Sequence, residues 1–431
     1  MEEKEGGQET IALGDAKPEL VHACDEITNK NIPLHAIEQR ITGIDTEDKL
    51  RKAVEIRRAL LGVVDIPWAS DMHYSSVYGR CCENVIGYVP LPVGAVTGAI
   101  IDGKEFTIPM ATTEGALVAS TQRGFKAIMK AGGTGVQTYV HADGMTRAPI
   151  VHFEELSDAI ALKSWIAMQE NFALIESTFN ATSSYAKLAK IDATICGTDL
   201  FLRFKATTGD AMGMNMLSKG CEQVLITLKE KFPKMKIISL SGNYCTDKKA
   251  AALNWIDGRG KSVVALATIP ASVVETVLHV DVADLVDASI KKNFKGSALA
   301  GAMGGFNAQA ANIVSAIFIA TGQDPAQAVV SSSCLTEMEK LPNGSLKICC
   351  TMPSLEVGTI GGGTHLRPQQ AALEMMGIAG PTPQHLSYGE NARSLAKIIC
   401  ATVLAAELSL MASLIQGTLT EAHLALNRSK A

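Results

Sequence analysis

The sequence predicts an α+β fold, with a small helical N-terminal domain, a large α/β domain with a long central helix, and a compact α+β unit inserted into the large domain. Three observations predict this fold. Apolar residues recur at helical spacing over residues 45–64, strand-like runs at 200–205 and 235–240 flank an amphipathic helix, and a long apolar helix begins at about Asn391. The expected domains are residues 1–84, the large domain 85–148 with 241–431, and the inserted unit 149–240.

The composition is typical of an ordinary globular protein, because 47% of the 431 residues are apolar and 19% are charged. The net charge of −5 argues against a nucleic-acid surface, which needs clustered Lys and Arg. The ten cysteines stand singly or as direct neighbours, without a C-x-x-C pair. This usage favours a reducing, cytoplasmic compartment and offers no thiolate zinc site.

The N-terminal segments are predicted in order along the chain. Residues 1–20 are polar and expected to be disordered, and residues 1–9 lack the apolar region of a signal peptide. Two prolines force residues 83–94 into an extended conformation. Residues 112–131 are predicted to form a helix with Glu114 in its first turn, where the helix macrodipole favours a carboxylate.

The inserted unit and the last helix are predicted from similar patterns. Residues 154–171 have a helical composition, and the helix that ends at about Phe232 opens with residues 210–215. The apolar stretch 398–415 is long enough to suggest a membrane span, but it carries Glu407 at its centre. A charge there is costly in lipid, so a buried core helix is the better interpretation.

Residues 241–249, which we call the lysine loop, crowd Lys248, Lys249, Asp247 and hydroxyl groups around a glycine just after a strand-like run. Such a composition suits an anion-binding loop. Adjacent lysines at a strand exit are also often simply solvated, and the local pattern leaves both interpretations open.

Nucleotide-binding fingerprints are absent. Gly260-Lys261-Ser262 ends like a P-loop, but Trp255 stands where the first glycine is required, and no G-x-G-x-x-G follows a strand. A dinucleotide would need another loop. Residues 210–215 are the best candidate, because Gly213 near a helix start lets backbone amides approach a pyrophosphate, although a Met-rich helix start is more often part of a core.

Several segments, taken together and in order, resemble the 3-hydroxy-3-methylglutaryl-CoA (HMG-CoA) reductase family. The resemblance is to the catalytic portion of the eukaryotic-type (class I) enzyme and covers about residues 32–429. The segments that carry it are 83–94, 110–115, 142–147, 209–215, 241–249, 322–324, 359–364, His423 and 427–429.

The resemblance implies a four-electron reduction of HMG-CoA to mevalonate and CoA, a step of isoprenoid and sterol precursor synthesis, with two NADPH per turnover and no metal. The positions that match the family's catalytic residues are Glu114, Lys248, Asp324 and His423. Lys248 would stabilise the oxyanion formed from the thioester, and His423 would protonate the CoA thiolate. Glu114 would act as a proton donor, its pKa raised by the nearby charge of Asp324.

The same matching gives the binding residues. The 3-hydroxy-3-methylglutaryl group would contact Arg147, Ser241, Asp247, Lys249, Lys292 and Asn312. CoA would contact Ser120 and Arg123. The cofactor would contact Ser183, Ser184, Asp210, Ala211, Met212, Gly213, Met214, Asn215, Gly361, Gly362 and Gly363. The inserted unit would be a small ferredoxin-like, non-Rossmann NADP(H) domain, and the protein a homodimer with shared active sites that pairs into a homotetramer.

Two departures from the family pattern bear on cofactor choice and regulation. The class I pattern has Ser-Arg at the cofactor's 2′-phosphate, whereas this chain has Ser183-Ser184, so Lys187, Arg203 or Lys205 would have to replace the cation. Ser429 matches an inhibitory phosphorylation site, but Leu426 stands where kinases read a basic residue, so we do not expect that regulation.

Two alternatives to the reductase remain open from sequence. One is an NAD(H)-preferring enzyme working in the mevalonate-oxidising direction, and the other is a catalytically silent CoA-ester-binding protein. A membrane anchor, if the protein has one, lies outside this chain, which could be the cytosolic portion of an endoplasmic reticulum membrane protein. The tail that carries His423 is expected to close over the substrate.

Overall fold

The structure is a computed structural model that describes residues 18–30, 32, 34–42, 46–61 and 74–417. The chain divides into two compact units between Leu91 and Pro92. Most of the predicted disordered segment 1–20 lies outside the described residues, as do His423 and Ser429.

The first unit is helical, as the periodicity predicted. It contains helix α1 (Pro18–Asn29), helix α2 (Thr46–Leu61) and the 3₁₀ turns Leu34–Arg40 and Tyr74–Ser76. Apolar side chains from both helices pack into a small core, and Arg57 on α2 forms a buried ion pair with Glu38. The helix predicted over residues 45–64 is therefore confirmed for Thr46–Leu61, and the rest of that prediction lies outside the described residues.

The second unit contains strands and helices in alternation. Its strands are β1 (Val93–Ile101), β2 (Lys104–Ala111), β3 (Gln137–Arg147), β4 (Ile150–His152), β5 (Lys187–Cys196), β6 (Asp199–Thr207), β7 (Lys236–Ser239), β8 (Gly260–Ile269), β9 (Leu335–Lys340) and β10 (Leu346–Leu355). Its helices are α3 (Leu117–Lys130), α4 (Leu156–Ala167), α5 (Gln169–Asn180), α6 (Met214–Lys231), α7 (Ala252–Ile256), α8 (Ala271–Val273), α9 (Val282–Ala288), α10 (Ser297–Leu299), α11 (Ala310–Thr321), α12 (Ala328–Ser331), α13 (Arg367–Met375) and α14 (Glu390–Gln416).

One eight-stranded sheet joins the two halves of this unit. Its order is β7-β4-β6-β3-β8-β10-β9, with β5 paired to the other side of β6, and every pairing is antiparallel. Strand β3 belongs to both halves, because Gln137–Gly144 pairs with β8 and Met145–Arg147 pairs with β6. The mixed helix and sheet composition predicted from the sequence is confirmed.

Two separate hydrophobic cores lie along this sheet. The larger one surrounds α14, and the smaller one is built from residues between Met145 and Met235, including Phe179 and Phe204, which stack with ring centroids 6.2 Å apart. Among the described residues, α14 is the one helix long and apolar enough to cross a membrane, and 78% of its most apolar window is buried inside the protein. This burial confirms the interpretation of residues 398–415 as a core helix.

Two predicted helices differ from the observed ones. Helix α3 begins at Leu117, because Ala116 before it adopts the left-handed conformation (φ 68°), so Glu114 lies outside the first turn and the macrodipole argument for its position was wrong. The helix predicted over residues 154–171 is two helices, α4 and α5, because Met168 between them has an extended backbone (ψ 130°).

Candidate functional site

The lysine loop connects β7 to α7 and has a strained backbone. Asn243, Thr246 and Lys248 all have positive φ, at 61°, 63° and 58°. A residue with a Cβ loses roughly 1–2 kcal/mol in this conformation, and a β-branched residue such as Thr246 is disfavoured most. Surrounding contacts must therefore fix the loop.

Thr246 is one anchor of the loop. Its hydroxyl donates to the Asn254 side-chain oxygen, and the Asn254 side-chain Nδ2 donates to the Lys249 carbonyl at 3.0 Å. Both Thr246 and Asn254 are buried. These bonds close the loop onto the start of α7 and hold the backbone that presents Lys248.

Lys248 faces Asp324. Its Nζ lies 3.1 Å from the Asp324 Oδ2, and both side chains are partly exposed. Asp324 caps the short turn Pro325–Gln327 by accepting from the Ala326 amide at 3.0 Å, which fixes its carboxylate. The ammonium group of Lys248 is thus held in a fixed position at an open surface, where a substrate can reach it.

Glu114 pairs with another residue. Its Oε1 accepts from Asn312 Nδ2 on α11 at 3.3 Å, and its amide donates to the Thr112 hydroxyl. Within the described part of the chain, no hydrogen bond or ion pair joins Glu114 to Lys248. Of the four predicted catalytic residues, Lys248 pairs with Asp324, and Glu114 pairs instead with Asn312, a predicted substrate residue. The fourth, His423, lies outside the described residues.

The other predicted substrate residues lie in the lysine loop, at the end of β3 and in a π-helical segment. Lys249 donates to the Asp247 carbonyl at 2.9 Å, and the Ser241 hydroxyl lies 3.7 Å from the Cys245 sulfur. Lys292, in the π-helical segment Ser289–Gly296, donates to Asn293 at 3.3 Å. Arg147, at the end of β3, keeps its Nε buried without a hydrogen-bond partner. A buried donor of this kind is costly unless an acceptor reaches it, so Arg147 suits an anion.

Two glycine-bearing loops meet beside the lysine loop. We call residues 208–215 the first glycine loop and residues 358–363 the second glycine loop. The Thr359 amide donates to the Asp210 carbonyl at 2.7 Å, and Ala211 and Ile360 form a parallel bridge. A Cβ on Gly358 would lie 2.6 Å from the Met212 amide nitrogen, so glycine is required for this contact.

The first glycine loop ends at a helix N-terminus. Gly213 (φ 94°) precedes the first residue of α6, and Gly361 and Gly362 also have positive φ, with open space where their side chains would be. Free backbone amides and the helix macrodipole make such a place suitable for a phosphate group.

Asp210 has a structural role. Its carboxylate is buried and accepts from the Thr382 amide and hydroxyl at 2.7 and 2.8 Å and from the Ala392 amide at 3.2 Å. These bonds fasten the first glycine loop to the start of α14. Both the carboxylate and the backbone carbonyl of Asp210 are thus engaged within the protein, the carbonyl by the Thr359 amide.

Ser183 and the three candidate replacement cations differ in their surroundings. The Ser183 hydroxyl accepts from the Tyr185 and Ala186 amides, while Ser184 is exposed. Arg203 and Lys205 both engage Asp257, and burial lowers the pKa of Lys205 to about 8. Lys187 is exposed at the start of β5, and no ion pair involves it in the part of the chain that the structure describes.

Ser120 and Arg123 on α3 contact α14. The Ser120 hydroxyl lies 2.9 Å from that of Ser409, and Arg123 donates to the Ser409 hydroxyl, the Ser409 carbonyl and Ser413 at 2.6–2.9 Å. Burial lowers the pKa of Arg123. Both side chains therefore help pack α3 on α14.

Three buried polar residues were not found from the sequence: Arg259, Glu356 and Gln327. Arg259 Nη1 contacts both Glu356 and, at 3.2 Å, Asp247, and burial raises the pKa of Glu356 to about 7. Gln327 donates to Asp247 at 3.4 Å. The available signal was a charged residue, Arg259, between two glycines, and another, Glu356, directly after an apolar strand. Among the described residues no His, Cys, Asp and Glu cluster could hold a metal.

The fold and site define a class of protein: a mixed α/β protein with a constrained cation–carboxylate pair beside a helix N-terminus suited to phosphate. A family model described as hydroxymethylglutaryl-coenzyme A reductase matches residues 52–428. The chain belongs to this family, and the resemblance predicted from its motifs is confirmed.

The curated relatives are eukaryotic 3-hydroxy-3-methylglutaryl-coenzyme A reductases. The chain is 52% identical over 433 residues to that of Strongylocentrotus purpuratus, covering 98% of this chain and 45% of the relative. It is 56% identical over 388 residues to that of Phycomyces blakesleeanus, covering 88% and 33%. The chain thus spans less than half the length of these relatives and corresponds to their class I catalytic portion.

Solved structures share the fold at lower identity. A 3-hydroxy-3-methylglutaryl-coenzyme A reductase of Streptococcus pneumoniae matches with a TM-score of 0.60 and 22% identity, covering 77% of this chain and 87% of that one. A class II reductase from the same organism, bound to NADPH in open conformations, matches with a TM-score of 0.62 and 21% identity, covering 86% and 87%.

Proposed function

We propose that this chain catalyses the four-electron reduction of HMG-CoA to mevalonate and CoA, using two NADPH. The observation that carries the proposal is the placement of Lys248, 3.1 Å from Asp324 on a strained loop, in a chain of this family. Curated relatives of about 50% identity bear the name of this activity.

Lys248 stabilises the oxyanion that forms when the thioester carbonyl accepts hydride. A fixed ammonium group close to a developing negative charge lowers the barrier most when water is excluded. Asp324 orients the Lys248 ammonium group through their ion pair. The left-handed backbone of Lys248 fits this role, because strain of this kind persists where surrounding contacts hold a side chain in place.

Proton transfers fall to two other residues. His423 protonates the CoA thiolate, since an imidazole with a pKa near 6.5 can donate at neutral pH. Glu114 protonates the carbonyl oxygen of mevaldehyde, and Asn312 orients its carboxyl group at 3.3 Å.

The substrate carboxylate is bound by Arg147, Ser241 and Lys249. The buried, unpartnered Nε of Arg147 supports this assignment, because a carboxylate would satisfy it. The remainder of the 3-hydroxy-3-methylglutaryl group contacts Asp247, Lys292 and Asn312. The CoA moiety contacts Ser120 and Arg123.

NADPH supplies the hydride when bound, and the two glycine loops fit it. The positive-φ glycines and the N-terminus of α6 offer backbone amides to its pyrophosphate. The unit 149–240 acts as the ferredoxin-like NADP(H) domain, inserted in the large domain of residues 85–148 and 241–431, with residues 1–84 as the N-terminal domain. Ser183 and Ser184 lie on the 2′-phosphate side.

The proposal extends to assembly and location. The enzyme works as a homodimer with shared active sites, and the dimers pair into tetramers. The chain acts in the reducing cytoplasmic compartment, as the cytosolic portion of an endoplasmic reticulum membrane protein.

The test is HMG-CoA-dependent oxidation of NADPH by the purified chain. We expect two NADPH oxidised per mevalonate formed. Lys248→Ala should lower turnover by roughly a hundredfold or more, the scale of losing one oxyanion donor. Lys236→Ala is the matched control, because Lys236 lies on β7 just before the lysine loop and its ion pair with Glu154 is exposed.

Two outcomes would overturn the proposal. Binding of HMG-CoA without NADPH oxidation would indicate a catalytically silent CoA-ester-binding protein. Faster mevalonate oxidation with NAD than HMG-CoA reduction with NADPH would indicate the reverse reaction. Near-normal turnover by folded Lys248→Ala would remove the proposed role of Lys248.

A further inference from the structure

A buried arginine touches two loops of the candidate site at once. Arg259 is fully buried at the entry to β8. Its Nη1 lies 3.2 Å from Asp247 of the lysine loop. Its Nη2 lies 2.9 Å from the sulfur of Met214, a residue of the first glycine loop and the first residue of α6. Glu356, also buried, pairs with the same Nη1.

Gln327 also contacts both the lysine loop and the first glycine loop. It is 1% exposed, and its Nε2 lies 3.4 Å from Asp247 Oδ1 and 3.7 Å from the sulfur of Met212. Its Oε1 is buried without a partner. Asp247 and the first glycine loop are therefore linked twice, through Arg259 and through Gln327.

The contacts of Arg259 and Gln327 with Asp247 hold a strained stretch of the lysine loop. Thr246 and Lys248, on either side of Asp247, both have strained backbones. A carboxylate held by Arg259 and Gln327 fixes the peptide between them. Because Lys248 follows Asp247 directly, a change in the position of Asp247 moves Lys248 relative to Asp324.

We propose that Arg259 and Gln327, with Glu356 as the counter-ion of Arg259, are positioning residues that couple the cofactor-binding loop to the substrate-binding loop. This inference rests on the proposed function for the identity of the two ligands. Hydride donor and acceptor must lie within about 3–3.5 Å for reaction, and a buried polar link between their binding loops sets that separation. Each ligand then favours the loop arrangement that binds the other, which is reciprocal coupling.

Gln327→Leu is the variant of choice. Removing Arg259 would leave Asp247 and Glu356 without their shared cation, and a buried uncompensated charge unfolds many proteins. Leu has a similar volume to Gln, loses both polar links and removes the unpartnered Oε1. We therefore expect a melting temperature within a few degrees of the wild type.

The first measurement is hydrogen exchange on the free chain. Gln327→Leu should speed amide exchange in both residues 208–215 and 241–249 while leaving α14 unchanged. Gln370→Leu is the control, because Gln370 on α13 makes an exposed bond to Glu374. Wild-type exchange in the two loops of Gln327→Leu would overturn the inference, whatever the protein binds.

The second measurement is the coupling of HMG-CoA and NADP⁺, a pair that cannot react. In the wild type, each ligand should strengthen binding of the other by about fivefold or more. In Gln327→Leu this factor should fall about threefold or more, a change that a general loss of stability does not produce. An unchanged factor would overturn the inference. A wild type that binds neither ligand would overturn the proposed function, and the exchange experiment would still decide the role of Gln327.

Discussion

Glu356 is a buried carboxylate whose ionisation is balanced by its neighbours. Burial raises its pKa from the ordinary 4.5 to about 7, Arg259 opposes this rise, and Asp247 and Asp324 add to it. Ionised Glu356 is therefore costly in the folded protein near neutral pH. The cost has a measurable signature in the pH dependence of stability.

The sign of this dependence follows from proton binding. Between pH 4.5 and 7 the folded protein keeps a proton on Glu356 that the unfolded chain has released. The stability contributed by protonated Glu356 is thus complete below pH 4.5 and is lost as the pH rises through about 7. The loss is at most about 1.4 kcal/mol per pH unit.

Glu356→Gln should remove this dependence. The variant and the wild type should have similar melting temperatures at pH 5, and the variant should become the more stable of the two by pH 8, by about 1–3 kcal/mol. Thermal unfolding across this range measures the difference. Parallel curves for the two proteins would contradict the buried-carboxylate argument.

Individual residues were predictable from sequence only where their order along the chain is distinctive. Lys248 and Asp324 belong to recognisable segments, and the structure brings them within 3.1 Å. Arg259 and Glu356 are single charged residues beside apolar strands, and neither belongs to a periodic pattern or to a recognisable motif. Their pairing depends on the register of β8 and β10, which folding determines.

At the scale of elements, periodicity predicted helices better than it predicted their ends. α2, α6 and α14 lie close to their predicted bounds. The predicted start of α3 was wrong because Ala116 adopts a left-handed backbone conformation. This conformation is uncommon for residues other than glycine, so the sequence does not predict it for an alanine. Contacts between loops, such as that of Gly358 with Met212, were not predictable because they depend on tertiary packing.

The contact between the two glycine loops gives a prediction of its own. Gly358→Ala would place a Cβ 2.6 Å from the Met212 nitrogen and 2.8 Å from the Asp210 oxygen, both backbone atoms that cannot rotate away. Overpacking of this kind costs typically 1–3 kcal/mol, which separation of the loops would relieve. The dissociation constant for NADPH should then rise about tenfold or more, as measured by titration.

Gly304→Ala is the matched control for this substitution. A Cβ on Gly304 meets nothing within 4 Å, and its φ is not in the left-handed region. It should bind NADPH as the wild type does. Normal NADPH binding by Gly358→Ala would show that the two loops do not form one cofactor site.

At the scale of the whole unit from Pro92 onward, the two hydrophobic cores are joined through β3, whose two ends pair with β8 and β6. The sequence indicated an inserted α+β unit because its strand and helix patterns change there. It could not indicate that one strand would serve both halves. Asp257, between these halves, engages Lys190, Arg203 and Lys205 together.

This arrangement narrows the choice of a cation for the 2′-phosphate of NADPH. Arg203 and Lys205 are engaged by Asp257, and Arg203 is buried. Lys187 is exposed at the start of β5, three residues after Ser184. We therefore expect Lys187 to contact the 2′-phosphate in place of the arginine found in the class I pattern.

Lys187→Ala should lower the preference for NADPH over NADH, measured as the ratio of their kcat/KM values, by about tenfold. This corresponds to about 1.4 kcal/mol, close to the lower end of the range for a hydrogen bond to a charged group. The loss should fall on NADPH alone, because NADH lacks the phosphate that Lys187 would contact. Lys163→Ala, an exposed lysine on α4, is the control for charge removed from the same unit. An equal loss with both cofactors, or an unchanged ratio, would show that Lys187 does not recognise the phosphate and that the Ser184 departure leaves this site without a selective cation.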